Sequence, residues 1–442
     1  MKNIFVKTFF IASILFLQNC SDDVTYDKEK AVLAFADTGT LTVDESLKNT
    51  EIKIPKQQNF DFSAGFESKN QQIENFYFSQ IKPKKFLNKS STTWSGSRPF
   101  FGKSFVFEPA ITSDKIFLLD ARGNLFAYDI KTKKKIFKNR IFAKRYLKNY
   151  QTPKISYFND TIYAIAGSNE IVASNAIDGK ILWSKTILSL PVSKPVSDGK
   201  LVYTTTSDNK TYALNATTGE LVWTASGVSK PTAILGSSNP IIYKENLIVS
   251  YASGEIYALD KNTGEPLWSQ NLNVNKATDS DFYLNDIDAT PIIKNNIIFA
   301  IGNGGLMMAI DIKTGNYLWK KEIATITDFF AASEFLFVID NHDKLIALSQ
   351  KNGAIKYISQ LPDYKNKKKS QSKIIYNGII LAGNKLIISD SRGRLLVAAL
   401  QDGKIEQEFK INQKIFHSPI VVNGKIYLHT VGSFLINLVE VW

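Results

Sequence analysis

The chain of 442 residues is poor in the side chains that build redox and metal chemistry: it has 1 Cys, 3 His and 3 Met. One cysteine excludes an intramolecular disulfide, a Cys-rich zinc site and an iron–sulfur cluster. The histidines are His342, His417 and His429. His342 falls in the turn Asp340-Asn-His-Asp343, His417 precedes a strand and His429 sits on one. They share no metal-ligand spacing, so no metal and no catalytic histidine is expected. Beyond the first twenty residues no apolar run is long enough to cross a bilayer as a helix. What is abundant points elsewhere. Hydrophobic residues make up 44% and charged residues 21%, too apolar a mixture for a disordered chain. The 29 Phe, 18 Tyr and 6 Trp suit strands better than helices. Lys and Arg number 54 against 41 Asp and Glu, a net charge of +13.

Residues 1–20 read MKNIFVKTFFIASILFLQNC. Lys2 and Lys7 precede the apolar run Thr8–Leu17, the layout of an export signal and too short for a spanning helix. The sole cysteine, Cys20, follows directly, and the arrangement resembles a bacterial lipoprotein signal in which the Cys is lipidated and becomes the first mature residue. Leu17 suits that pattern, whereas Gln18 and Asn19 stand where small residues are usual. In the lipoproteins it resembles, a non-acidic residue at the place of Ser21 permits sorting to the outer membrane. The expected organisation is a signal peptide over 1–19, a lipidated N-terminus and tether over 20–88, and a folded body over 89–442.

That body repeats itself. Tyr257-Ala-Leu-Asp-Lys-Asn-Thr-Gly-Glu-Pro-Leu-Trp268 is the clearest unit. Related copies end at Trp183, Trp223 and Trp319, and degenerate ones at Phe137, Tyr357 and Gln407. Gly179, Gly219, Gly264 and Gly315 each precede a Trp by four positions, and Trp94 joins the series by spacing. The aromatic slots recur every 38 to 51 residues or so, the period of a propeller blade. The unit has a physical reading. Asp or Asn opens a turn by bonding its own backbone, Gly supplies positive φ, and Trp covers the neighbouring repeat. Strand pairs beginning near Pro109, Pro153, Pro195, Pro240, Pro291, Ala332, Ile379 and Pro419 number eight, yet only seven have a following outer strand. The segment Ser91–Ser97 around Trp94 is expected to supply the missing one. The fold predicted is therefore all-β: an eight-bladed β-propeller closed by strands from both termini, with no free edge left at the seam.

These repeats resemble the PQQ-like repeat, and within that superfamily the chain resembles the BamB family of outer-membrane lipoproteins over roughly residues 37–442. Three local stretches carry the narrower likeness: Ile234-Leu-Gly-Ser-Ser-Asn-Pro240, Asp286-Ile-Asp-Ala-Thr-Pro-Ile-Ile293 and the segment Thr327–Asp340. The resemblance implies a scaffold without enzymatic activity or cofactor, held on the periplasmic face of the outer membrane. It implies a BamA-like barrel-inserting subunit as partner, bound through Thr232, Ile234, Leu235, Gly236, Asp286 and Asp288. Family members can carry Leu and Arg where Thr232 and Leu235 stand, so apolar contact would have to replace an Arg–acid pairing here. The competing reading of the same two acids is turn capping ahead of a strand, which needs no partner, and that of Ile234 and Leu235 is packing over the blade edge. Short blade edges could in addition offer pairing to unfolded outer-membrane proteins.

Two other readings stand beside this one. PQQ-dependent dehydrogenases share the repeat, but the adjacent cysteines typical of them have no counterpart where the only Cys is Cys20. A generic propeller binding polysaccharide or another envelope protein would use the aromatics as an open surface, whereas their repeat-locked positions suit packing between blades. Lysines cluster at 131–135, at 365–373 and at 82–85. An exported chain makes nucleic acid an unsuitable partner, and these clusters suit solvated loops or anionic surfaces.

Overall fold

The computed structural model describes residues 41–58, 74–76, 108–120, 123–132, 134–143, 153–228, 238–273, 287–362, 364–366, 371–411, 414–415, 417–422, 425–432 and 435–441. Cys20, Trp94 and the expected signal peptide lie outside them.

Seven four-stranded antiparallel sheets follow one another over residues 110–140, 154–186, 196–226, 241–271, 292–322, 330–360 and 376–410. In each, spatial order equals chain order, and these are blades 1 to 7 of a propeller. Among the described residues helix is confined to one short turn, Glu45–Leu47. The innermost strands of blades 1 to 5 begin directly after Pro109, Pro153, Pro195, Pro240 and Pro291. A proline costs nothing at a strand start, where no ladder donor is needed.

The repeat motif explains how a blade is made and how it meets the next. In blade 3, Ala213 stands opposite Trp223, and the register shifts just after the alanine. The same alanine–aromatic pairing and shift occur at Ala173–Trp183, Ala258–Trp268, Ala309–Trp319 and Ala347–Tyr357. Asn215 Oδ1 accepts the backbone N–H groups of Thr217 and Thr218 at 2.9 and 3.0 Å, closing the turn. Gly219 then takes φ +73°, and a Cβ there would lie 2.6 Å from the Trp183 ring of the preceding blade. The glycine is thus required twice, by backbone conformation and by close approach. The tryptophans point forward along the chain: Trp183 Nε1 donates to Ala216 O at 2.8 Å, Trp268 to Ile312 O at 2.9 Å and Trp319 to Gln350 O at 2.8 Å. Each ring therefore buries apolar area on the next blade while its one polar atom is satisfied there.

Buried side chains form one cluster at each junction. Phe117 and Leu125 meet Ile155 and Ile162 between blades 1 and 2, and Leu336 and Ile346 meet Phe299 and Ile301 between blades 5 and 6. After blade 7 comes a sheet of different order: Lys425–Gly432 pairs on one edge with Leu435–Val441, while Ile420–Val422 and Lys414–Ile415 share its other edge. Ile415, Ile426 and Leu428 pack onto Ile387, Leu395 and Val397 of blade 7.

Part of the segment before the repeats is seated on blades 6 and 7. Asp44 N–H donates to Ile355 O at 2.8 Å. Lys356, itself buried, donates to the carbonyls of Leu47 and Thr50. Gln401 clamps the Ile52 backbone from both sides, accepting from its N–H and donating to its carbonyl, each at 2.8 Å. Phe76 adds a parallel bridge to the inner edge of Tyr376–Ala382. Its N–H donates to Leu381 O at 2.9 Å and its carbonyl accepts from Gly383 N–H at 3.1 Å. Glu74 pairs with Lys294 at 2.6 Å and accepts from Ser333 N–H at 2.7 Å.

Candidate functional site

In a four-stranded meander, the first and third turns of every blade lie on one face and the connectors to the next blade on the other. In chain order, the partner residues singled out by sequence fall between blades. Thr232, Ile234, Leu235 and Gly236 belong to the connector from blade 3 to blade 4, and Asp286 and Asp288 to the one from blade 4 to blade 5. Of these six, only Asp288 is among the described residues; it is half-buried between buried Ile287 and Ala289. The two connectors touch: Ser238 N–H donates to Ile287 O at 3.2 Å. Neighbouring connectors are tied in the same way. Lys194 N–H donates to Asn239 Oδ1 at 3.1 Å, and Thr290 N–H to Asp328 Oδ1 at 2.9 Å. Exposed apolar side chains stand on connectors too, with Leu188 88% and Val228 53% exposed.

The innermost strands surround a cavity of about 320 Å³. Its walls are apolar, with Ala110, Ile155, Val196, Ile241, Ile292 and Ile379 among them. Its mouth on the connector face is polar and was not singled out by sequence. Glu108, Lys194, Asn239, Thr290 and Ser418 each stand immediately before a proline that opens an innermost strand. A residue before proline is held extended, which sets these side chains at equivalent places around the channel. That recurring polar-Pro step was the available signal. Asp328 and His417 complete the mouth.

The electrostatics are uneven. Lys194 Nζ lies 2.8 Å from Glu108 Oε1, with side-chain exposures of 5% and 29%. Burial pushes the Glu108 carboxyl upward, but the charge of Lys194, aided by His417 and Lys154, outweighs it and holds Glu108 below the usual glutamate value. For Asp328, enclosure by protein and the nearby charge of Glu108 raise the carboxyl above the usual aspartate value, against the opposing bond from Thr290. Burial pushes His417 down, and Lys194 and Lys154 add to this against Glu108, so its neutral form is favoured. His342 is a turn residue whose N–H donates to Asp340 Oδ1 at 3.0 Å. Among the described residues no group of three or more His, Cys, Asp or Glu could hold a metal ion.

The family model described as outer membrane protein assembly factor BamB matches residues 148–359, which run from the edge of blade 2 to blade 6. The BamB of Yersinia pestis is 26% identical over 327 residues, covering 72% of this chain and 81% of the relative. The chain resembles the BamB family across these blades. BamB proteins carry the name of outer membrane protein assembly factors, and the solved BamB of Moraxella catarrhalis superposes with a TM-score of 0.63 at 16% identity over 76% of this chain and 94% of that one. A quinohemoprotein alcohol dehydrogenase from Comamonas testosteroni also superposes, with a TM-score of 0.58 at 12% identity over 81% of this chain and 74% of that one. At that identity the likeness is one of propeller fold alone.

Proposed function

We propose that this chain is a non-enzymatic scaffold of the outer-membrane barrel assembly machinery, held by a lipid on Cys20 at the periplasmic face of the outer membrane. Its partner is the barrel-inserting, BamA-like subunit, bound through that subunit's periplasmic domains. The bond from Ser238 to Ile287 carries the reading, because it draws together the two connectors that hold Thr232, Ile234, Leu235 and Gly236 on one side and Asp286 and Asp288 on the other. Where this sequence has Thr232 and Leu235, apolar contact bears more of the interface, and exposed Leu188 and Val228 on the same face enlarge it. The ring is completed as an eighth blade by the sheet over 414–441 with an outer strand from the segment around Trp94. The outermost strands of blades 2, 3 and 5 expose the apolar pairs Ile181-Leu182, Leu221-Val222 and Tyr317-Leu318, which supports a second, weaker contact with unfolded outer-membrane proteins.

The test is capture of the barrel-inserting subunit's purified periplasmic domains by the full chain and by a variant carrying Leu235→Glu, Asp286→Ala and Asp288→Ala. Capture falls by about tenfold or more in the variant while its Tm stays unchanged. Equal capture by both proteins removes the patch from the account.

A further inference from the structure

The channel mouth offers one kind of chemistry to anything that enters it. Lys194 carries the positive charge nearest the cavity, but its ammonium is covered, 5% exposed and 2.8 Å from Glu108. Glu108 is the more open partner of that pair, and Asp328 is an exposed residue of the channel lining. His417, half-buried across the mouth, favours its neutral form. Among the described lining residues a visitor therefore meets carboxylate and amide oxygens, while the lysine there, Lys194, is covered by its pair with Glu108. Below the mouth the walls are apolar, and from the other face Phe76 lines the cavity with its ring 6.3 Å from that of Phe330. Its main chain is fixed to the turn end of blade 7, which narrows the channel on that side. The volume, about 320 Å³, is at the small end of those that hold organic ligands.

We infer that the central channel is a binding site for a cationic group on a short apolar stem, a primary ammonium or a guanidinium, which enters from the connector face and is held by Asp328 and Glu108. An incoming cation adds an opposite charge at Asp328, which already accepts from Thr290 N–H at 2.9 Å and where the charge of Lys194 is opposed by that of Glu108 and by enclosure in protein. The stem replaces water against Ile155, Ile241 and Ile292. The chemistry is shared by small polyamines and by a lysine or arginine side chain of a partner. The site does not require the assembly reading to hold.

Binding to the purified full chain is measured by calorimetry with three probes: spermidine, a blocked Ala-Arg-Ala peptide, and glutarate as an anion of similar length. Saturable binding of spermidine or of the peptide, with none of glutarate, is the expected result, and the tighter of the two shows which source fits. Asp328→Asn keeps the shape and the oxygen that accepts from Thr290, and it weakens the bound cation by about tenfold or more, the worth of one charged hydrogen bond. Ser156→Tyr, which narrows the channel from blade 2, weakens it too. Absence of saturable binding by both cations, preference for glutarate, or unchanged affinity in Asp328→Asn overturns the proposal.

Discussion

Gly219 shows at one residue how the propeller repeats. With φ +73° and the Trp183 ring 2.6 Å from any added Cβ, it tolerates no side chain. Gly219→Ala should cost about 1–3 kcal/mol in urea unfolding, while Thr217→Ala in the same turn should stay within about 0.5 kcal/mol. Trp223→Ala, which empties the blade 3–4 junction and frees Lys261 O from a 3.1 Å bond, should cost about 3–5 kcal/mol. His417 makes a prediction about pH. Its folded form resists protonation, so as pH falls below the usual histidine value of 6.5 the unfolded chain takes up the proton first and stability drops. The groups facing it are Glu108, Lys194 and Lys154. Asp328 acts in the opposite sense above pH 3.8, because its folded form keeps the proton longer. Glu108 adds stability that is lost only in stronger acid, as its lowered carboxyl protonates. Comparison of Tm between pH 7.5 and 5.5 should show a smaller fall in His417→Asn than in the parent; an equal fall would mean that His417 ionises as freely folded as unfolded. The turn glycines and tryptophans could be read from the sequence because one physical demand recurs in every blade. Glu108, Lys194, Asp328 and His417 were harder to see, since each lies in a different repeat and only ring closure brings them to one mouth.

At the scale of elements, the blades and the segment before them differ in how they announce themselves. Seven blades were legible because alternation, turn and aromatic recur together, and the prolines mark where five innermost strands begin. The stretch over 41–58 and 74–76 carries no repeat. Apart from side chains such as those of Glu74 and Asn75, its attachment runs through main-chain atoms of Ile52, Phe76, Leu47 and Thr50, which leave no pattern in the side chains. Gln401 is the residue to test. Gln401→Ala removes both bonds to Ile52 and should raise amide exchange at residues 44–54, with blade 3 unaffected, as expected for loss of two partly buried hydrogen bonds worth about 1 kcal/mol each. Unaltered exchange at 44–54 would mean that Lys356 and the Asp44–Ile355 bond hold the segment without the clamp.

For the whole molecule, fold and function rest on different supports. The ring of blades is shared with dehydrogenases and with BamB, so architecture does not select between them. The family match does, and it spans blades that were recognised from their turns. The surface expected to bind a partner was named by resemblance, and the structure contributes the contact between its two connectors at Ser238 and Ile287. The central claim is that this surface serves barrel assembly. Its most direct test is affinity capture of the tagged full chain from detergent-solubilised envelopes, with mass spectrometry of whatever accompanies it. The account predicts recovery of a barrel-inserting subunit with its periplasmic domains, reduced in the Leu235→Glu, Asp286→Ala, Asp288→Ala variant. Recovery of the chain alone, or with a bound quinone or glycan in place of that subunit, would contradict it.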